Sequence, residues 1–375
     1  MASYYWRCIT GIQSDKRTLK KFHYRCFSIE SPPASRGDID KYINVSVSGN
    51  ITKLKKINNI FSFNNETAKQ CAMYYDQTSW LELRKLLIVN KYDIIIFQLI
   101  RLEYLIKKTI DLREKNNLNV KVYCDYVDAL SLNMKNRAAT ENFLMRRICN
   151  NESNKLALVE TKVFDLVDES IIISERDANY IGKSGFQIVP NGVNIPIINY
   201  NERKDKDNNL INLAFWGNMS YYPNVKAALY LAELLKKLKF GKYKLHIIGA
   251  NPSKKIKALD AQSGIKIHGY VKDLNGLLRT MDLAVFPIFD GSGLQNKVLE
   301  AFALQIPVIT TNIVLDSMPK LRAYAMEAKN KEDFIHYIES FSPAQNMPHL
   351  RNSSALQVLK EHYNWNVIIN LLGSI

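Results

Sequence analysis

Residues 290–308 read DGSGLQNKVLEAFALQIPV. The stretch follows the short apolar run LAVFP (283–287) and leads into IPVITT (306–311), so one turn and one helix join two strands. Strand, glycine turn, helix and strand in that order form the repeating unit of a parallel α/β sheet. In such sheets ligands sit beyond the carboxyl ends of the strands. Gly291, Ser292 and Gly293 stand just past such an end, directly before the helix. Glycines let backbone amides approach a phosphate, and the helix N-terminus adds partial positive charge. Lys297 supplies a full charge near the first turn. Glu300, three residues on, shares its face and can accept hydrogen bonds from ribose hydroxyls. Taken alone, the same letters also suit a plain strand–turn–helix with a surface lysine and glutamate.

The rest of the chain repeats the pattern. From about residue 90, YDIIIFQLI reads as a strand, RLEYLIKKTIDLREKNN as a helix and VKVYCDYV as the next strand. NFLMRRICNNESNKLALVETKVFDLV is helical, SIIIS is a strand, and Ser174 with Asp177 forms a capping pair opening ERDANYIGKSG. FQIVPNGVN ends this half, and the polar, aperiodic IPIINYNERKDKDNNL is a linker. A second cycle follows: strand LINLAFWG, helix PNVKAALYLAELLKKLKFG, then strands YKLHIIG, IKIHG, LAVFP and IPVITT. Pro223 falls in the first turn of its helix and Gly241 just past the end. HYNWNVIINLLGSI closes the chain as an amphipathic helix. Over the first 80 residues, FHYRCFSI reads as a strand and ESPPASRGD as a loop.

At 375 residues the chain exceeds what one hydrophobic core usually organises, so two domains are expected. Its 47% hydrophobic and 23% charged residues exclude disordered and fibrous classes. Cys8, Cys26, Cys71, Cys124 and Cys149 form no CxxC pair and have no histidine at ligand spacing. That pattern suits free thiols in a reducing cytoplasm, not a disulfide scaffold or zinc site. No apolar run approaches the roughly 20 residues of a membrane span, and MASYYWRCITG lacks the apolar segment of a signal peptide. The formal net charge of +15 asks for an anionic partner: nucleic acid, anionic membrane or phosphorylated substrate. Basic residues cluster at Lys16, Arg17, Lys20 and Lys21, at Lys53, Lys55 and Lys56, and at Lys236, Lys237 and Lys239. A solvated surface in a lysine-rich proteome explains the same charge.

DGSGLQNKVLEAFALQIPVITT, together with LAFWGNMSYYPNV, LHIIGANP, IHGYVKDLNGLL and VPNGVN, resembles the GT-B retaining glycosyltransferases of the large family 4 group. The subgroup it most resembles is the bacterial envelope-polysaccharide sugar transferases, with their GNMxYxPN turn and GxGxQNKVLEAMA helix. The resemblance is dense over residues 186–312 and thinner over 91–180, where VYCDYVDALSLN and IIISERDANYI fit. It implies an α/β chain of two Rossmann-like doubly wound domains facing a central cleft. Residues 1–190 would form the acceptor-side domain and 191–359 the donor domain, with a closing helix at about 360–375 packing back on the first.

The resemblance also implies roles. Gly217 and Asn218 would lie beside the donor diphosphate, and Gly249 with Gly269, Tyr270 and Val271 would border the base. Gly291, Ser292, Gly293, Leu294, Asn296 and Lys297 would hold the diphosphate, and Glu300 the ribose. Many relatives carry two glutamates seven residues apart; here Ser292 replaces the earlier one. Many carry basic residues after the first strand of the second domain; here none comes before Lys226, leaving Lys297 as the main cation on the leaving phosphate. In the first domain, Asp125 and Asp128 of CDYVDALS are candidates for polar contact with acceptor or donor, and Asp128 also for catalytic base. A helix cap or loop salt bridge is the plainer reading of Asp128. Arg101 is a candidate phosphate contact, and Gly37 a point of close ligand approach.

A departing nucleoside diphosphate needs charge neutralisation, which amides, a helix end and a lysine supply in this fold. No DxD triplet stands where a metal site would be expected, so metal-independent transfer with retention is expected, with no cofactor beyond a UDP- or GDP-linked sugar donor. The acceptor would be a glycan or a lipid-diphosphate-linked sugar in polysaccharide or lipopolysaccharide biosynthesis. The basic clusters then suit a peripheral place on the cytoplasmic face of the inner membrane. Rival readings are a basic nucleic-acid-binding protein, a sugar-nucleotide epimerase or phosphorylase, and a degenerate donor-binding subunit. Aromatic residues are not interleaved with the basic clusters, which argues against nucleic acid.

Overall fold

The computed structural model describes residues 24–28, 43–46, 51–62, 66–90, 92–197, 210–342 and 353–374. Its chain divides into two compact units, Met1–Pro190 with Ile369–Ile375, and Asn191–Ile368.

In the first unit the β-branched runs become short parallel strands and the amphipathic stretches their crossover helices. The elements are β1 (Tyr24–Ser28), β2 (Ile43–Ser46), α1 (Lys53–Ser62), α2 (Lys69–Ala72), α3 (Gln77–Val89), β3 (Ile94–Gln98), α4 (Glu103–Asn116) and β4 (Lys121–Asp125). Then come α5 (Leu130–Thr140), α6 (Phe143–Leu166), β5 (Glu169–Ile172), α7 (Glu175–Ile181) and β6 (Gln187–Ile188). The sheet runs β2-β1-β3-β4-β5-β6, every neighbouring pair parallel. All five residues of β3 are buried, as a strand covered on both faces requires. Ile95, Phe97, Val122, Cys124 and Ile172 pack with Leu105, Ile106, Leu156 and Val163 in one core.

Helix starts follow local chemistry. Asp76 accepts from the Ser79 amide at 2.8 Å, Asn142 from Met145 at 3.1 Å and Ser174 from Asp177 at 3.2 Å. Two starts are capped from afar by α6. Glu152 accepts from the amides of Lys69 and Gln70 at 2.9 and 2.8 Å, and Glu160 from the Ser131 amide at 3.0 Å and from its hydroxyl. Both glutamates are buried. Burial pushes the Glu160 carboxyl up to about 7 against the lowering effect of the Ser131 bonds, with Asp128 nearby adding to the rise.

The second unit comprises β7 (Ile211–Trp216), α8 (Tyr222–Leu235), β8 (Tyr243–Ile248), α9 (Lys254–Lys257), β9 (Ile265–His268), α10 (Leu274–Leu278) and β10 (Leu283–Phe286). It continues with α11 (Asn296–Ala303), β11 (Val308–Thr310), α12 (Asn312–Asp316), β12 (Met326–Glu327), α13 (Lys331–Ser340) and α14 (Ser353–His362). Its sheet is also wholly parallel, ordered β12-β11-β10-β7-β8-β9. The last described helix, α15 (Trp365–Ser374), runs from this unit into the residues grouped with the first.

Three local expectations shift. The helix read from Arg101 begins at Glu103, because Ile100–Leu102 forms a 3-10 turn. Gly241, expected just past the end of α8, lies six residues beyond Leu235; with φ +77° it turns the chain into β8. HYNWNVIINLLGSI is not one helix, since α14 ends at His362 and α15 starts at Trp365. The interruption has a cause: Val193 pairs with Asn364 in a parallel bridge, and its amide donates to the Tyr363 carbonyl at 2.7 Å. Gly192 sits against the Trp365 ring so closely that a Cβ there would lie 2.4 Å from it. Among the described residues no helix is long and apolar enough to cross a membrane.

Candidate functional site

The second sheet winds outward from β7 in both directions, to β8 and β9 on one side and to β10, β11 and β12 on the other. The order therefore reverses between β7 and β10, and the loops leaving these strands part at their carboxyl ends. In doubly wound sheets that crevice is the ligand site. The loops in question are Gly217–Tyr221 after β7 and Pro287–Gln295 after β10, the latter carrying the opening motif.

The turn after β7 is made by glycine. Gly217 has φ +151° and Gly249, after β8, φ +154°. A Cβ on Gly249 would fall 1.8 Å from the Gly217 carbonyl oxygen, and one on Gly217 2.7 Å from the Asn224 amide nitrogen. The two loops thus pack backbone to backbone, with no room for a side chain. The Gly249 amide donates to the His268 carbonyl at 3.1 Å, which ties this layer to the end of β9. Gly269, Tyr270 and Val271 follow there; Tyr270 is 81% exposed and nothing fills the space beside Gly269.

On the other side of the switch point, Gly291 (φ +118°) and Gly293 (φ +71°) bend the chain into α11, and nothing stands where a Gly291 Cβ would point. Ser292 and Leu294 are buried. Lys226 of α8 reaches this loop and pairs with Asp290 at 2.9 Å. Oδ1 of Asn296, the first residue of α11, accepts from the Asn191 side-chain Nδ2 at 2.8 Å.

Lys297 is not the surface lysine of a plain strand–turn–helix. It is only 8% exposed. Its ammonium donates to Oδ1 of Asn224 and lies 5.0 Å above the Phe215 ring centroid. Burial pushes it down to about 7, partly countered by Glu300. The Glu300 carboxyl is held by the Trp216 indole, whose Nε1 donates at 2.8 Å. Burial raises this carboxyl, while the indole bond and Lys297 lower it. Asn224 also donates from Nδ2 to the Asn218 carbonyl at 3.0 Å. One amide therefore ties the turn after β7 to the cation of α11.

The sequence-based residues of this unit thus converge: Gly217, Asn218 and Gly249 on one loop layer, Lys297 and Glu300 on the facing helix. Trp216 and Asn224, which join the halves, were not singled out, although both lie within the quoted LAFWGNMSYYPNV.

In the first unit, Asp125 is buried at the end of β4 and accepts from the Val127 amide at 3.0 Å and from Gln98 at 3.4 Å. Val127 adopts φ +64°, so the loop carrying Asp128 turns sharply. Arg101 donates twice to the Gln70 side-chain oxygen, at 3.0 and 2.7 Å. Gly37 and PPASRGD lie outside the described residues, as does His23. Cys71, Cys124 and Cys149 are free and buried. Among the described residues no cluster of His, Cys, Asp or Glu is set to hold a metal ion.

Residues 211–341 match the family described as glycosyl transferases group 1. No curated protein matches the chain in sequence. Solved structures match it in fold at low identity. A glycosyltransferase from Rickettsia africae is 14% identical, with 88% of this chain and 82% of that one covered and a TM-score of 0.58. HepE of Anabaena, in complex with UDP, is 12% identical, with 94% and 100% covered and a TM-score of 0.63. WaaG, a glycosyltransferase involved in lipopolysaccharide biosynthesis, is 14% identical, with 98% and 92% covered and a TM-score of 0.60. The chain has the GT-B architecture of two parallel-stranded α/β units, and its residues 211–341 form a domain of the group 1 glycosyl transferase family.

Proposed function

We propose that the protein moves a sugar from a UDP- or GDP-linked donor to a glycan or lipid-diphosphate-linked acceptor in building cell-envelope polysaccharide, with retention at the anomeric carbon and without a metal ion. The observation carrying this reading is the joining of Lys297 and Glu300 to the glycine turn after β7, at the switch point, through Asn224 and Trp216.

The residues divide the work. Backbone amides at Gly291, Ser292 and Gly293 and the start of α11 face the donor diphosphate, with Gly217 and Asn218 opposite. Lys297 is the cation on the leaving group, and Glu300, oriented by Trp216, accepts from the ribose hydroxyls. Gly249 and Gly269–Val271 border the base. As the anomeric carbon–oxygen bond to the donor phosphate breaks, the diphosphate leaves with the electron pair and the acceptor oxygen bonds to that carbon. Asp128 receives the acceptor proton. Asp125 and Arg101 order the walls of the acceptor domain. Charge developing on the leaving group is met by groups already in place, the least costly form of electrostatic stabilisation.

Incubation with a panel of nucleoside diphosphates and their sugars, read by thermal shift, tests the donor site: one diphosphate is expected to stabilise the protein, and Lys297→Ala to abolish the shift. Product anomeric configuration by NMR tests retention, and turnover in excess EDTA tests metal independence. A protein stabilised by none of the panel contradicts the reading. Turnover that EDTA abolishes and magnesium restores contradicts metal independence.

A further inference from the structure

The 24-residue helix α6 carries an unusual division of charge. It has three acids. Glu152 and Glu160 turn inward and cap α2 and α5, and Asp165, in the last turn, pairs with Lys183 at 2.6 Å. Its four basic residues are Arg146, Arg147, Lys155 and Lys162. Exposed positions at helical spacing, Leu144, Arg147, Ile148, Leu158 and Lys162, form one outward stripe whose single acid, Asp165 at its far end, is the one paired with Lys183. Large apolar side chains on it are bare: Phe143 is 74% exposed, Leu144 67%, Ile148 51% and Leu158 61%. Phe143 and Leu144 stand where α6 leaves its turn from α5. Glu141 in that turn is neutralised by Arg137 at 3.1 Å.

From this we infer that the outward face of α6 docks on an anionic lipid surface, Phe143, Leu144 and Ile148 entering the headgroup boundary while Arg147 and Lys162 lie among the phosphates. An exposed helix face that joins bare apolar residues to cations with no acid partner among the described residues satisfies both requirements of an interfacial helix. Neither alone holds a protein at a membrane, since a small apolar insertion binds marginally and the charge attraction decays within a Debye length. The fold enforces the pairing, because capping two helices withdraws both mid-helix glutamates from the surface. The proposal stands on the first unit alone and holds whether or not the donor reading does. It gives the lipid-linked acceptor reading a definite surface.

Flotation of the full chain with vesicles tests it. Binding is expected to phosphatidylglycerol–phosphatidylcholine vesicles in equal parts, to weaken at high salt, and to be absent with phosphatidylcholine alone. Phe143→Ser/Leu144→Ser and Arg147→Glu/Lys162→Glu are each expected to weaken partitioning roughly tenfold or more. Their melting temperatures should match the parent's, because the replaced side chains are exposed. In Phe143→Trp, the added emission is expected to shift blue on anionic vesicles and to be quenched by brominated acyl chains. The inference is overturned if the parent protein does not float, or if the double variants float as it does. Equal binding to neutral vesicles overturns it too. So does a dimer in sedimentation that Phe143→Ser/Leu144→Ser dissolves, since the face would then cover a second copy.

Discussion

Asn224 accepts a hydrogen bond from the ammonium of Lys297, a residue 73 positions away, and with its other amide atom holds the Asn218 carbonyl. Its orientation is forced: an ammonium only donates and a carbonyl only accepts, so Oδ1 faces the lysine and Nδ2 the turn. A carboxylate there would repel the Asn218 carbonyl and pair with Lys297. Asn224→Asp is therefore expected to weaken nucleoside diphosphate binding about tenfold. It should also raise the lysine's titration toward its ordinary range, read by NMR of the lysine side chain without ligand. Unchanged titration would remove Asn224 from the site.

The same lysine predicts pH dependence. Burial pushes Lys297 down to about 7, so its charge is gained and lost around neutral pH instead of near 10.5. A diphosphate favours the charged form, so affinity should fall as pH rises above 7, and binding near neutrality should take up a proton. Calorimetry in buffers of differing ionisation enthalpy measures that uptake. Stability runs the other way. Between about 7 and the ordinary lysine value near 10.5 the unfolded chain holds the extra proton, so this group's contribution to stability rises with pH across that window.

Lys297→Met should separate function from folding. Nucleoside diphosphate affinity is expected to drop about 10- to 100-fold with the loss of a charge-assisted contact. The melting temperature should hold or rise, since the buried ammonium no longer has to be desolvated. Isothermal titration and thermal melting on the same preparation give both signs. A lower melting temperature with intact affinity would make the residue structural.

Trp216→Phe keeps the ring and deletes the indole donor to Glu300. If Glu300 reads the ribose, this variant should bind donor several-fold more weakly and discriminate less between ribo- and deoxyribonucleotides. Competition by the two nucleotides, with phosphate contacts unchanged, measures that loss. Full discrimination in Trp216→Phe would show that the indole does not orient the reading carboxyl.

Gly249→Ala is predicted to be among the most damaging single-methyl additions in the second unit. The new carbon meets the Gly217 carbonyl at 1.8 Å in a backbone conformation with φ +154°. Relief requires moving the turn after β7, at a cost of about 3 kcal/mol or more. Chemical denaturation would show it, whereas Gly182→Ala, which meets no atom within 4 Å, should cost far less.

Much of this was legible before any coordinates. IIIFQ, VYCD, NLAFW and LHII are short β-branched and aromatic runs that read as strands covered on both faces and became them, and Ser174 announces its helix by a local cap. Glu152 and Glu160 were not legible as caps: nothing near them in sequence shows that they serve amides 83 and 29 residues away. The break in the closing helix was equally hidden, because Val193, which competes for that backbone, lies about 170 residues earlier.

The candidate site divides along the same line. Glycine turns, a helix start and a lysine–glutamate pair at positions 291–300 are local features, and short-range sterics and periodicity suffice to read them. That Lys297 is buried, titrates near neutrality and is gripped by Asn224 depends on which strands became neighbours. Strand order sets burial, and burial sets the cost of charge. The residues of the glycine turn were thus determined by sequence, while the burial of the lysine behind it and the posture of its carboxylate were decided only when β10 paired with β7.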